Sequence, residues 1–254
     1  MMINDEDLSG GLREEFTCQF CGKRFSVSKR FLDIAGDYIP QQCPECYDKE
    51  REQEKAAEMR KIREKLPDIY LASFNLGYDL KHASFENFQP QSERQMKAFE
   101  YAREFVSNDD YIVLFFGKTG NGKTHLAVSM LREWCSKDQP DCEYVTEKEI
   151  FDDLMTALSS KTTTMESVVK RYVNVEQLVI DEIGRAESTP FKKENLLAIV
   201  TQRLERKKKT VIIGNMTKDA IVNYFSDAII SRMQAGGKSF LFMDRDYRYR
   251  ESKA

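Results

Sequence analysis

Histidine is nearly missing, with two among 254 residues, which argues against a His-rich catalytic metal site. Charge of one sign is missing too. Thirty-nine Lys and Arg stand against 42 Asp and Glu, a formal net charge of -3. The chain is therefore no polycation, and any nucleic-acid contact must come from a local basic patch. No apolar run approaches the roughly 20 residues that a membrane helix needs. The opening Met1-Met2-Ile3-Asn4-Asp5-Glu6-Asp7 is acidic and lacks the apolar segment of a signal peptide. These absences predict a soluble, cytoplasmic protein. A 41% hydrophobic content suffices for one sizeable core with a small module beside it.

Cysteine is scarce but patterned. Four of the six form two pairs, Cys18-x-x-Cys21 and Cys43-x-x-Cys46, while Cys135 and Cys142 lie far along the chain. In a cytosolic chain two such pairs read as a metal site before they read as disulfides. Four thiolates satisfy Zn²⁺ tetrahedrally and leave no position open, so the expected role is structural. A module this small has little core of its own, and the metal would supply much of its folding energy. A redox dithiol is the rival reading, and an iron–sulfur cluster a further one. Phe20, Phe25 and Phe31 are expected to form the module's miniature core. From Asp48 to Leu66 seven Lys/Arg and six Asp/Glu crowd 19 residues without a continuous apolar face. That stretch predicts a solvated connector helix ended by Pro67. The expected organisation is a cysteine module over 1–47, a charged helical linker over 48–67 and a larger domain over 68–254.

The larger domain centres on one glycine-rich turn. An apolar run, Tyr111-Ile112-Val113-Leu114, leads into Gly117-Lys118-Thr119-Gly120-Asn121-Gly122-Lys123-Thr124, and a helical pattern follows from His125. Strand, glycine turn and helix in this order fit a phosphate-binding P-loop. The glycines permit backbone conformations in which successive N–H groups converge on phosphate oxygens, and the following helix adds the positive end of its dipole. Lys123 would reach the β- and γ-phosphates of ATP, and Thr124 would place its hydroxyl on Mg²⁺. Further on, Gln177-Leu178-Val179-Ile180 is a buried strand pattern that ends in Asp181-Glu182. Asp181 would hold Mg²⁺, and Glu182 would polarise an attacking water. Asn215 follows a third apolar strand, Thr210 to Gly214, and can bond that water or the γ-phosphate. Five strand candidates alternate with helices, which predicts an α/β doubly wound parallel sheet.

Other features admit two readings. Phe85 and Phe88, in Ala83-Ser84-Phe85-Glu86-Asn87-Phe88-Gln89-Pro90, could lie beside an adenine or clamp onto the core. Arg203, Arg206, Lys207, Lys208 and Lys209 close a helix expected over 191–208. They can complement its dipole or touch a DNA backbone. A basic tail carries Arg245, Tyr247, Arg248, Tyr249 and Arg250.

As a set, Gly117–Thr124 followed by His125-Leu126, the run Leu178 to Gly184, Asn215 at a strand end and Ser231-Arg232-Met233 resemble the DnaC/DnaI-type replicative helicase loaders. The similarity covers roughly residues 68–245. The transposition ATPase IstB is similar over the same region. The resemblance implies an AAA+ ATPase using ATP and Mg²⁺, with Gly117 through His125 and Asp181 at the nucleotide. It implies that Asn215 is the sensor 1 residue. Arg232 becomes an arginine finger offered to a neighbouring subunit, hence self-association into an ATP-dependent ring or spiral. With 22 residues after Arg232, it also implies an AAA+ core without a C-terminal lid. The stretch from Glu147 to Tyr172 resembles the extra helix that lies along single-stranded DNA in this clade. DnaI-like loaders carry a zinc-binding N-terminal domain that grips the hexameric helicase, which gives Cys18, Cys21, Cys43 and Cys46 a docking role. The implied partners are a DnaB-type helicase and single-stranded DNA. An IstB-like helper acting on duplex DNA with a transposase is the alternative.

Overall fold

A computed structural model describes residues 12–36, 40–137, 140–185 and 189–243; the basic tail beyond lies outside them. The chain divides into two compact units, residues 1–62 and 63–254.

In the first unit, β1 (Arg13–Thr17) and β2 (Arg24–Ser28) pair antiparallel, with Phe16 opposite Phe25. The turn between them is the first cysteine knuckle. The Cys18 amide donates to the Lys23 carbonyl at 2.9 Å, and the Gly22 amide returns to the Cys18 carbonyl at 2.9 Å. Gly22 takes φ +70°, a left-handed conformation that glycine adopts without strain. A short helix, α1 (Lys29–Ala35), follows. The expected phenylalanine core is only partly there. Phe25 packs on Phe16 with ring centroids 5.9 Å apart, but Phe20 and Phe31 are 68% and 50% exposed. Among the described residues the hairpin and the short α1 supply no apolar layer that covers them. Among the described residues of this unit only Cys18, Pro40 and Cys43 are buried.

Helix α2 (Pro44–Ser73) starts within the second knuckle. Residues 48–62 are exposed throughout, as their unpatterned charge predicts. Pro67 does not end the helix: it sits inside it. The missing N–H and ring clash cost about 3 kcal/mol. Burial offsets this, because Pro67 is buried and Leu71, one turn on, is fully enclosed.

The second unit is a five-stranded sheet, β3 (Ile112–Gly117), β4 (Cys142–Thr146), β5 (Gln177–Ile183), β6 (Lys209–Gly214) and β7 (Gly237–Phe242). The order is β4-β5-β6-β3-β7, and every pairing is parallel. Period-2 alternation divides the strand side chains between two apolar layers. Ile112, Leu114, Phe116, Leu178, Ile180 and Ile212 meet α6 (Glu147–Ser159), α7 (Met165–Asn174), α8 (Pro190–Glu205) and α9 (Lys218–Gly236). Val113, Phe115, Val179, Val211 and Ile213 meet α4 (Glu93–Phe105) and α5 (Lys123–Cys135) on the other face, beside the small α3 (Tyr78–Lys81). Helix starts are encoded locally. Ser92, Thr146, Thr164, Thr189 and Thr217 each accept from an amide three residues on. Thr146–Glu149 and Thr164–Ser167 close reciprocally.

Two glycines close the ladder between β3 and β7. Ile112 stands opposite Gly237, and Gly117 opposite Phe242. A Cβ on Gly117 would fall 2.0 Å from the Phe242 carbonyl oxygen; one on Gly237 would fall 1.7 Å from that of Ile112.

The basic cluster after α8 is largely internal. Arg203 is fully buried and donates to Thr210 Oγ1 and to the carbonyls of Tyr172, Val175 and Lys209 at 2.7–3.0 Å. Burial lowers its pKa to about 10, against the attraction of Glu176. Lys209 donates to the carbonyls of Phe105, Asn108 and Asp110 at 2.6–2.7 Å. Lys208 pairs with Glu176. These three cations hold the strand entrance together, so the sequence-based suggestion of a DNA-facing cluster does not hold for them.

Candidate functional site

The carboxyl ends of β3, β5 and β6 open onto a cavity of about 1420 Å³, lined by residues of the glycine turn together with Asp181, Glu182 and Asn215. Ligands of open parallel sheets bind at such strand ends. Gly117, Gly120 and Gly122 take φ +122°, +76° and +83°, so each uses the freedom the sequence reading assigned to it. A side chain at Gly122 would also meet Phe88 at 2.7 Å. Lys123 opens α5, is buried, and donates to the carbonyl of Gly117 at 3.1 Å and to that of Lys118. Its ammonium therefore rests inside the loop. Asn121, also buried, is tied on both sides: its carbonyl accepts from Gln95 at 3.3 Å and its side-chain amide donates to the Phe242 carbonyl at 3.5 Å.

Thr124 and Asp181 meet across the cavity floor. The Thr124 hydroxyl donates to Asp181 Oδ2 at 2.9 Å, and the Tyr144 hydroxyl donates to the same oxygen at 2.9 Å. Burial raises the Asp181 pKa, against the bonds from the Glu182 amide, Tyr144 and Thr124. A buried carboxylate beside a threonine hydroxyl is the oxygen donor set that Mg²⁺ prefers, with the remaining positions left to water and phosphate. These two residues fit that ion.

Glu182 sits on an irregularity. The register of β5 on β6 shifts between Ile180 and Ile183, and Glu182 takes φ +60°. A bulge re-aims side chains, and here it turns two consecutive carboxylates toward one cavity. Glu182 is ion-paired with Arg185, which also lines the cavity. Gly184, at φ +78°, and Gly214 let the ends of β5 and β6 close together. A Cβ on Gly184 would meet Met216 at 2.6 Å, and one on Gly214 the Ile183 carbonyl at 3.2 Å. Asn215 is thereby delivered to the rim.

The aromatic pair divides between its two readings. Phe85 is buried in the core, whereas Phe88 lines the cavity, stacked on Phe99 at 5.6 Å and edge-on to His125 at 5.2 Å. His125 Nε2 faces two acceptors, the Ser84 carbonyl at 3.1 Å and Asn87 Oδ1 at 2.8 Å, so it carries a proton. Burial lowers the His125 pKa, against the Ser84 carbonyl. Arg232 is elsewhere. It lies exposed on α9, beyond a break at Ser226 (φ +65°), within 3.9 Å of Glu205. Thr119, Gly120, Asn121, Gly122, Lys123, Thr124, His125, Asp181, Glu182 and Asn215 all line the cavity, whereas Gly117 and Lys118 are not among its lining residues.

Two residues escaped the sequence reading. Tyr144 reads as a strand aromatic, yet its hydroxyl holds Asp181. Glu147 reads as a first-turn acid, yet it is fully buried, accepting from the Gly184 amide at 2.8 Å and from the Tyr224 hydroxyl. An acid at a capping-box start is too common a pattern to reveal such burial.

In the first unit the sulfurs of Cys18, Cys21, Cys43 and Cys46 all lie within 4.8 Å of one another, and Cys21 and Cys43 are 3.7 Å apart. Tetrahedral Zn–S bonds of about 2.3 Å place sulfurs about 3.8 Å apart, so the four fit a single such ion. Burial raises the Cys18 thiol, but amides at Cys43, Cys21 and Phe20 outweigh it and bring the pKa down to about 6. Hydrogen bonds with Cys21 and Cys43 instead push the Cys46 thiol up to about 12, so a metal would have to displace the Cys46 proton.

A family profile described as IstB-like ATP binding protein matches residues 47–234. The replicative helicase loader DnaC of Escherichia coli K12 is 28% identical over 174 residues, 67% of this chain and 71% of that protein. The crystal structure of the DnaC helicase loader superposes with TM-score 0.57 at 21% identity, covering 65% of this chain and 99% of that one. That of DnaI gives TM-score 0.56 at 18% identity, covering 67% and 96%. At these identities the superpositions establish a shared fold. Among the described residues no helix is long and apolar enough to cross a membrane.

Proposed function

The chain belongs to the IstB-like ATP-binding proteins, and on that basis we propose that it is an ATP-hydrolysing loader of a DnaB-type hexameric helicase onto single-stranded DNA. The observation that carries the ATPase part is the convergence of Lys123, Thr124, Asp181, Glu182 and Asn215 on one cavity. The similarity to DnaC supports the loader part.

In this reading the glycine-turn amides and Lys123 bind the phosphates, Lys123 leaving the carbonyls of Gly117 and Lys118 to do so. Thr124 and Asp181 hold Mg²⁺, which when bound neutralises phosphate charge. Glu182 gives up Arg185, orients the attacking water and accepts its proton. Asn215 fixes that water or the γ-phosphate. Arg232, exposed and outside its own cavity, enters the site of a neighbouring copy and stabilises charge in the transition state. Hydrolysis therefore requires self-association. Phe88 and His125 form the wall for the base. The region of α6 and α7 contacts single-stranded DNA, and the cysteine unit, holding zinc, docks on the helicase.

The test is a size analysis of the full chain with a DnaB-type hexamer, with and without ATP. ATP-dependent co-elution, lost in Cys18→Ser, is the expected result. The family profile also favours a second reading, a transposition helper. Binding to duplex DNA and a transposase, with no helicase complex under any nucleotide, would replace the loader with that helper.

A further inference from the structure

Two thiols outside both sites lie against one another. Cys135 ends α5 and Cys142 begins β4; neither is in a disulfide, and their Sγ atoms are 2.8 Å apart. Carbon atoms in contact stand about 3.5–4.0 Å apart, and sulfur is larger, so these atoms are closer than packing alone requires. A covalent S–S bond is about 2.0 Å long, leaving under an ångström to close. Metal binding does not account for the pair. Among the described residues, metal-ligating side chains gather in threes or more only at Cys18, Cys21, Cys43 and Cys46.

The two sulfurs differ in access. Cys135 is fully enclosed in the apolar layer with Trp134. Cys142 is half-buried and opens onto a second groove, about 850 Å³, walled by Tyr70, Phe74, Tyr144 and Arg171. The hydrogen bond with Cys142 and then burial push the Cys135 thiol far up, with Arg132 opposing. Cys142 is accordingly the thiol that a reagent meets first, and Cys135 the one that answers from behind.

We propose that Cys135 and Cys142 are an oxidisable dithiol, converted to an intrachain disulfide by a small disulfide oxidant such as glutathione disulfide. Cys142 loses its proton, and its thiolate attacks one sulfur of the oxidant, releasing one glutathione thiolate and leaving a mixed disulfide. Cys135 then loses its proton and attacks the Cys142 sulfur, breaking the mixed bond and releasing the second glutathione. The protein gives up two electrons, the oxidant becomes two thiols, and the two protons end on them. In a reducing compartment the pair rests as thiols. The new bond ties the last residue of the helix that Lys123 begins to the first residue of the strand that ends at Thr146 on the cavity wall. Nothing in this depends on which partner the chain serves.

The metal-loaded full chain is incubated with glutathione disulfide, alkylated, and digested with trypsin without reduction. Cleavage after Arg132, Lys137 and Lys148 separates the two cysteines into peptides 133–137 and 138–148. The expected product is those two peptides joined, two hydrogens lighter. The melting temperature should rise by roughly 5–10 °C, as closing so short a ring implies, and fall back on reduction. Cys142→Ser should show neither cross-link nor shift, with its reduced-state melting temperature close to wild type. Cys135→Ser should stop at the Cys142–glutathione adduct. Because Cys135 is wholly enclosed, that variant is expected to be the less stable of the two, and Cys142→Ser carries the test on its own. Wild-type protein that accumulates the adduct with Cys135 still free, or that keeps both thiols, overturns the proposal.

Discussion

Among its described residues the cysteine unit buries three, Cys18, Pro40 and Cys43, whereas β3 alone buries all six of its residues. The first unit has almost no apolar interior, and its convergent groups are sulfurs. The second has two apolar layers, and its convergent groups sit at the ends of strands that those layers already hold. Order in the first should depend on what the thiols bind, and order in the second should precede its ligand. The contrast predicts that damage to either site stays local, with opposite consequences for folding.

The sharpest break is Cys18→Ser. Structural zinc contributes on the order of 10 kcal/mol to modules of this size, so metal content should fall to none and the first unit should lose its amide-exchange protection. Nucleotide titration of the second unit should be unchanged. Glu182→Gln comes next: hydrolysis at saturating ATP should fall by about 10²–10³-fold, while nucleotide affinity and the thermal transition stay near wild type. A variant that hydrolyses normally would remove Glu182 from the proposed role. Arg203→Leu should do the reverse, taking the guanidinium donor from the carbonyls of Tyr172, Val175 and Lys209. That costs about 3 kcal/mol, read as a lower urea midpoint of the second unit with metal content untouched.

The smallest effect is a pH dependence. Burial raises the Asp181 pKa, so the folded state holds its proton more tightly than the unfolded chain. Its contribution to stability is therefore greatest at low pH and declines as pH rises from the ordinary aspartate range through the raised value. Urea midpoints without magnesium, taken between about pH 4 and pH 7, should show this decline in excess of Asp181→Asn. Magnesium with nucleotide should reduce it. Equal slopes in the two proteins would mean that Asp181 is not the group responsible.

Motifs in which backbone and chemistry coincide were readable from sequence. Gly117 to Thr124 has one backbone solution, and Asp181, Glu182 and Asn215 follow apolar strands that can only be central. What depends on distant chain was not readable. Arg203 looks like a surface cation until Tyr172 and Val175 bring their carbonyls to it. Phe20 and Phe31 look like core until the described residues of the unit leave both of them at least half exposed. Pro67 looks like a stop until Leu71 finds a buried place one turn later. In each case local propensity is outweighed by tertiary burial or by its lack. The bulge that turns Glu182 into the cavity has no local signature, since the apolar run before it reads as an ordinary strand.

The glycine closure of β3 against β7 bears on how variation in this chain should be interpreted. A Cβ at Gly237 would collide with the Ile112 carbonyl as hard as one at Gly117 would with that of Phe242. A saturation survey of variants would thus find both positions equally intolerant. Yet Gly117 begins the glycine turn beside the candidate site, while Gly237 lies at the opposite end of the same ladder, opposite Ile112. Intolerance at Gly237 would record the spacing of two backbones, and a map of fitness drawn without that knowledge would enlarge the candidate site by the length of a strand.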